Sequence, residues 1–320
     1  MARRMTWLLG LLLIALQCSI VHAEESYPSR AIRIVAPYAA GGTPDSIARL
    51  IAEQLSRQLK QSVYVENRTG ANGSIASDNV AGSLPDGYSL LLASDGPVVI
   101  MPLLKKGSAD PLKKLIPVNL TAESAFVLMS RNNLAAKDLK SVVDLGKTQK
   151  LTYGSAGIGS QHHLAGELLK ARAGIDLIHV PYKGSAEILT DLVGERLDLG
   201  FGGIPPSTPY ISGGNLRPIA VTSEQRNAKL PHVPTFSELG YPGYRVVFWV
   251  GIMAPAGTPP SIVKKLNGAI TEGMKSPEAA VSLEKLGVEL VNLGPDGFAK
   301  RLELDKQTWG NLIDQTGLRY

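Results

Sequence analysis

His162 and His163, with Glu167 four residues past the second, are the first side chains to weigh for chemistry. Imidazole and carboxylate groups carry protons and bind metals. Adjacent helical residues point about 100° apart, so the two rings cannot easily share one ion, and a lone His–Glu pair makes no catalytic zinc site. What remains is a polar first turn with one ring packed on Tyr153 or Tyr182, or a histidine facing a ligand as a donor. Asp45 reads either as a general base or as a cap for its own helix and the opposing loop. Lys183 stands on a turn, where it either pairs with an anion or lies in water. Gly157-Ile158-Gly159 opens like a dinucleotide fingerprint, but His162 takes the third glycine's place and Asp176 precedes its strand. No nucleophile elbow, Walker lysine or nucleophile–base–orienter set occurs in the chain. The expectation is a binding protein with no catalytic residues, no metal and no cofactor.

Recognition of this kind needs elements that aim donors at one point, and the stretch 32–59 supplies them. Ile32, Ile34 and Val35 read as a buried strand. Pro37 to Gly42 break it, and Gly41 and Gly42 leave the backbone free to approach a ligand. Thr43 and Pro44 form an N-cap and first-turn pair with Asp45 behind them. Ile47, Leu50, Ile51, Leu55 and Leu59 then recur at helical spacing. Strand, Gly-rich loop and helix N-terminus together offer orphan N–H groups and a positive dipole end to a carboxylate or phosphate.

The theme recurs. Strand Leu151–Tyr153 leads into a loop carrying Ser155 and Gly157, and Ser160 caps a helix running to about Ala173. Strand Leu177–Val180 leads through Lys183 and Gly184 to a helix opening at Ser185. The strand ends at Ser94-Asp95 and Gly202-Gly203 belong to the same kind of rim, which lines the ligand crevice in open α/β sheets. Strands alternate with helices throughout, so the fold class is α/β with largely parallel sheets. Recurrence on both sides of Phe126 points to two similar lobes facing each other.

With 320 residues, 44% of them hydrophobic, the chain can bury a core large enough for two domains. Residues 1–23 read as a signal peptide: Arg3 and Arg4, an apolar Trp7–Leu16, and a Val21-His22-Ala23 cleavage site. Cleavage after Ala23 into the periplasm is expected. The single cysteine, Cys18, lies in that leader behind Gln17, a poor lipidation context, so no disulfide is expected in the mature chain. Removing Arg3 and Arg4 lowers the formal charge from +5 to +3, and no Lys/Arg cluster marks a nucleic-acid footprint.

A family resemblance now rests on many ordered residues. Among them are Pro37-Tyr38…Gly41-Gly42…Asp45…Ala48-Arg49, Val65-Glu66-Asn67-Arg68…Gly70-Ala71…Gly73 and Pro85-Asp86-Gly87-Tyr88. Tyr153-Gly154-Ser155…Gly157…Ser160…His163-Leu164-Ala165-Gly166-Glu167, Val180-Pro181-Tyr182-Lys183-Gly184 and Ala254-Pro255-Ala256-Gly257-Thr258-Pro259 continue it. Over essentially its whole mature length the chain resembles the Bug-type extracytoplasmic solute receptors of tripartite tricarboxylate transporters.

That resemblance implies a two-lobed periplasmic-binding-protein (Venus flytrap, type II) fold, each lobe a mixed, mostly parallel sheet flanked by helices. Lobe 1 would comprise 24–124 and 226–320, and lobe 2 would comprise 125–225. A small organic carboxylate would be held by Tyr38, Ala39, Gly41, Gly42, Thr43 and Asp45 of the first loop, with Ser94 and Asp95. Ser155, Gly157, Ser160, Gln161 and His162 would face them, with Lys183, Gly184 and Gly202 completing the site. The implied partners are permease subunits of a tripartite transporter, or a sensor, with the chain itself a monomer. An exported hydrolase using Asp45, Ser160 or His163, and a receptor that signals without transport, are the alternatives. Ala39-Ala40, Thr43-Pro44, Met101 and Gly202-Gly203 depart from the family pattern, and the two last glycines imply a roomier distal pocket or a bulkier ligand.

Overall fold

The computed structural model describes residues 27–319 except 106, 108 and 183. The leader, its cleavage point, Cys18 and Lys183 therefore lie outside the described residues. Strand β1 (Ile32–Ala36), helix α1 (Thr43–Leu59) and strand β2 (Val63–Asn67) form as their pattern requires, with β1 and β2 parallel. Ile34, Ile47, Ile51 and Leu55 are fully buried in one core, each worth about 1.5–3 kcal/mol against exposure. Gly42 rather than Thr43 is the N-cap of α1, with Pro44 in the first turn. Helix α2 (Ser74–Ala81) and strand β3 (Ser89–Ser94), parallel to β1, complete this wing. Beyond β3 a π-helical stretch, Gly96–Ile100, runs into the short helix α3 (Met101–Leu104).

Strand β4 spans Leu115–Arg131, and helix α4 (Leu139–Gly146) is capped by Asp138. A second β–α series follows: β5 (Leu151–Ser155), α5 (Gln161–Ala173), β6 (Leu177–Pro181), α6 (Ser185–Val193) and β7 (Leu199–Gly203). Next come α7 (Ile204–Ser212) and β8 (Leu216–Val221). The chain closes with β9 (Val247–Pro255), α8 (Pro260–Gly273), α9 (Pro277–Leu286), β10 (Glu289–Leu293) and α10 (Pro295–Thr316).

The strands run in the order β2-β1-β3-β9-β4-β7-β5-β6, with β8 and β10 also on β4. Parallel pairs sit at the two ends, and the seam of β3, β9, β4 and β7 is antiparallel. Strand β4 is the join. Its Leu115–Ala125 part pairs with β9, and from Phe126 it pairs with β7. The apolar pattern marks only Phe126–Ser130 as a strand, because Pro117, Asn119, Thr121 and Glu123 interrupt it further back. Tertiary partners satisfy those polar residues. Asn119 Nδ2 donates to Asn267 Oδ1 at 2.9 Å and to Asn292 Oδ1 at 3.0 Å, and Glu123 meets Arg245 and Arg301.

Residues after β8 stay with the second half. Val221 N–H donates to Pro234 O, and Leu230 and Val233 pack with Leu189 and Leu192. Tyr244 stacks on Phe236 at 3.8 Å and donates its hydroxyl to Ala165 O at 2.6 Å. At the crossing, Thr222 Oγ1 accepts from Phe126 N–H and donates to Val246 O. Helix α10 lies across both halves, touching β4 and α5.

Candidate functional site

A cleft of about 540 Å³ opens between the two halves. From the first half come Pro37 and Tyr38 past β1, Gly70 and Ala71 past β2, and Pro97 and Met101 past β3. Facing them past β5 stand Ala156, Ile158, Gly159, Ser160 and Gln161. These loops follow the C-terminal ends of parallel strands, where such sheets hold ligands. Phe248 of β9 also lines the cleft, whereas its neighbour Trp249 is wholly buried and donates Nε1–H to Asp305.

The loop past β5 is shaped by two left-handed glycines, Gly157 at φ 98° and Gly159 at φ 78°, a conformation other residues adopt only with strain. Ser155 Oγ accepts from Gly157 N–H at 3.1 Å and lies 2.6 Å from His179 Nε2. Ser160 Oγ caps α5 by accepting from His163 N–H at 3.2 Å and donates to Gly157 O at 2.7 Å. The first-turn N–H groups of Gln161 and His162 have no partner within the helix. Both histidines are buried, and His162 Nδ1 has no hydrogen-bond partner among the described residues. His162 packs on Phe126 at 4.7 Å, and burial pushes its pKa down to about 4. His163 accepts from Gly159 N–H at Nδ1 and lies against His179 at 4.1 Å. Burial first, then the neighbouring His179, push it down to about 4 as well. Glu167 is bonded by Tyr153 and Lys170, and its 4.0 Å separation from His163 is too long for a hydrogen bond. Among the described residues no group of three His, Cys, Asp or Glu is placed to hold a metal.

On the facing side, Tyr38 and Ser94 share a hydrogen bond, and burial raises the Tyr38 phenol. Asp45 is turned onto its own loop rather than into the cleft. Its carboxylate accepts from Gly41 N–H at 2.9 Å, Arg49 Nε at 2.9 Å and Asn67 Nδ2 at 2.7 Å. Burial alone would raise its pKa, but those bonds outweigh burial and hold it below the usual value. Ala39, Gly41, Gly42 and Thr43 are exposed and stand outside the cleft walls. Gly184 also stands outside them, with open space about it. Gly202 makes no extra room: a Cβ there would meet Ser207 Oγ at 2.5 Å and Met129 Cε at 2.7 Å, so neighbouring side chains already fill the space. Gly203 is less crowded, with Pro206 Cγ 3.5 Å from where its Cβ would stand, and neither glycine lines the cleft.

A hydrogen bond joins the two halves beside the cleft. Gln161 Nε2 donates to Asp95 Oδ1 at 3.0 Å, joining the loop past β5 to the loop past β3. Asp95 is 1% exposed, and its Oδ2 has no partner among the described residues. Burial pushes its pKa up to about 7, the Asp305 charge adds to this, and the Gln161 bond opposes it. Sequence reasoning missed Gly70 and Ala71 as cleft residues, whereas Pro97 and Ile158 fall within the strand-end loops 94–97 and 155–161 that it placed at the rim. The turn Asn67–Gly73 at the end of a parallel strand was the available signal for the first two.

Comparison with known proteins then bears on this geometry. A family model described as a tripartite tricarboxylate transporter family receptor matches residues 47–318. The chain belongs to this receptor family. Protein BugT of Bordetella pertussis (strain Tohama I) is 33% identical to the receptor over 301 residues, covering 93% of this chain and 92% of its own. The periplasmic binding protein BugD is 32% identical with a TM-score of 0.72, covering 92% of this chain and 99% of that one. Rpa4515 of R. palustris, solved with adipate, is 33% identical with a TM-score of 0.75, covering 91% and 98%. The receptor thus has the two-lobed α/β fold of the periplasmic binding proteins, and its family is one of solute receptors rather than enzymes.

Proposed function

We propose that the receptor captures a small organic carboxylate between its lobes, leaves it chemically unchanged, and presents the closed form to a membrane permease of the tripartite type. The observation that carries this reading is the cleft walled from both halves by strand-end loops, with the Asp95–Gln161 bond joining the halves beside it. On this reading the carboxylate meets the free N–H groups at the start of α5, where the helix dipole favours an anion. A ligand that touches both walls binds the closed form better than the open one and so shifts the population toward closure. A relative with adipate supports the ligand class. Export with cleavage after Ala23 belongs to the same proposal. The lobe division proposed with it keeps the expected join at 124/125 but moves 226–245 from the first lobe to the second, because that stretch packs on the second half.

Calorimetry and thermal unfolding of the mature chain against small mono- and dicarboxylates test the proposal. Binding only the folded state raises Tm with ligand concentration. The expected result is a rise in Tm with the acid recovered intact. Failure of every acid to bind, or consumption of one, refutes it.

A further inference from the structure

Gly159 and Ser160 stand in the cleft wall immediately ahead of the first N–H groups of α5, so their backbone sets where a bound acid meets that helix. A turn built on two left-handed glycines holds such a place poorly unaided, because glycine gives up more conformational freedom on folding than any other residue. A tether reaches this turn from the helix behind it. His163 Nδ1 accepts from Gly159 N–H at 3.2 Å, four residues on in sequence. The imidazole that makes this bond is itself fixed. It is 3% exposed and lies against His179 of β6 at 4.1 Å, and His179 lies in turn against Tyr153 of β5 at 5.1 Å. The charged groups on its own helix, Glu167 and Lys170, pair with each other at 3.0 Å. Only an unprotonated Nδ1 accepts a hydrogen bond, and burial favours the neutral ring. On its outer side the turn comes close to the first half, where a Cβ on Gly159 would stand 2.7 Å from Leu104 Cδ1.

We propose that His163 is a positioning residue for ligand capture: its Nδ1 lone pair holds Gly159, and with it the approach to α5, in the shape that receives the acid. This rests on the carboxylate reading above and deepens it. Without that acceptor the buried Gly159 N–H turns toward water, and the loop must be ordered again at the moment of binding, which lowers affinity. The ring also packs on His179, and the two roles can be separated. Phenylalanine keeps a ring against His179 but offers no acceptor. Asparagine carries Oδ1 two bonds from Cβ, as histidine carries Nδ1, and gives up the ring.

The experiment compares His163→Phe and His163→Asn with the wild-type mature chain at about pH 7 by three readouts: urea midpoint, amide hydrogen exchange of residues 156–161, and calorimetry. The titrant is adipate, or the tightest-binding acid of the carboxylate series if wild type does not take adipate. His163→Phe is expected to speed exchange in that segment and to weaken binding about tenfold while keeping most of the stability, the size set by one buried N–H left without a partner. His163→Asn is expected to keep slow exchange and an affinity within about threefold of wild type, at a lower urea midpoint because the vacated ring leaves a cavity. Affinity that follows the urea midpoint through both variants marks a merely structural histidine and overturns the inference. Wild-type affinity in His163→Phe overturns it too, and both results leave the carboxylate reading standing. Failure of wild type to bind any acid of the series overturns both.

Discussion

Replacing Asp95 by asparagine asks whether a buried, half-neutral carboxyl sits at the join between the lobes. In the unfolded chain this group ionises near its ordinary value of 3.8, whereas in the fold burial and the Asp305 charge push that up to about 7. Between those values the folded state holds a proton the unfolded state has released. Stability therefore falls as pH rises, by about 1.4 kcal/mol per pH unit. Across the window this amounts to about 4 kcal/mol, complete above a pH of about 7. The buried histidines act in the opposite sense. His162 and His163 are pushed from 6.5 down to about 4, chiefly by burial. As pH falls through that range the unfolded chain takes up protons the folded one refuses, and stability is lost. Wild-type stability alone thus mixes two slopes.

Subtracting wild type from Asp95→Asn at each pH cancels the histidines, and the asparagine Oδ1 still accepts from Gln161. Urea unfolding from about pH 4 to about pH 8 is the assay. The variant is expected to gain on wild type with rising pH by as much as about 4 kcal/mol, levelling off above about 7. A difference independent of pH would refute the argument.

Two further substitutions probe the site and its scaffold. Gln161→Ala removes the bond between the two halves and leaves buried Asp95 without that side-chain donor, so ligand affinity should drop about tenfold, read by calorimetry, with little change in secondary structure by circular dichroism. Gly166→Ala places a Cβ 2.0 Å from the Tyr153 ring behind the cleft loop. Overpacking of that kind costs about 1–3 kcal/mol. A urea midpoint equal to wild type would show that the ring has room to move.

Local chemistry was enough to reveal the strand–Gly loop–helix units, because β-branched runs, Ser160 as a cap and the punctuation at Gly41, Gly157 and Gly159 act over a few residues. The α/β class and the pairing of two similar halves followed from the same alternation. Helix α7 was hidden because Pro205, Pro206 and Pro209 read as breakers, yet two of them sit in the first turn, where no amide hydrogen is needed. The first half of β4 was hidden because its polar residues look like a loop until Asn267, Asn292, Arg245 and Arg301 arrive from distant positions.

What each loop residue faces depends on long-range folding. Asp45, Ser155 and His162 read as ligand contacts by type and place, and only the fold shows that Asp45 meets Gly41 and Arg49, that Ser155 meets His179 and that His162 packs on Phe126. Ile158 and Phe248 carry no polar signal, and only the meeting of two sheets along β4 turns them toward one cavity. Sequence determines backbone donors and turns because those are local properties of the chain. Tertiary structure alone decides which wall is apolar and which carboxyl loses its water, since both depend on residues brought together from more than sixty positions apart, as Asp95 and Gln161 are at a separation of 66.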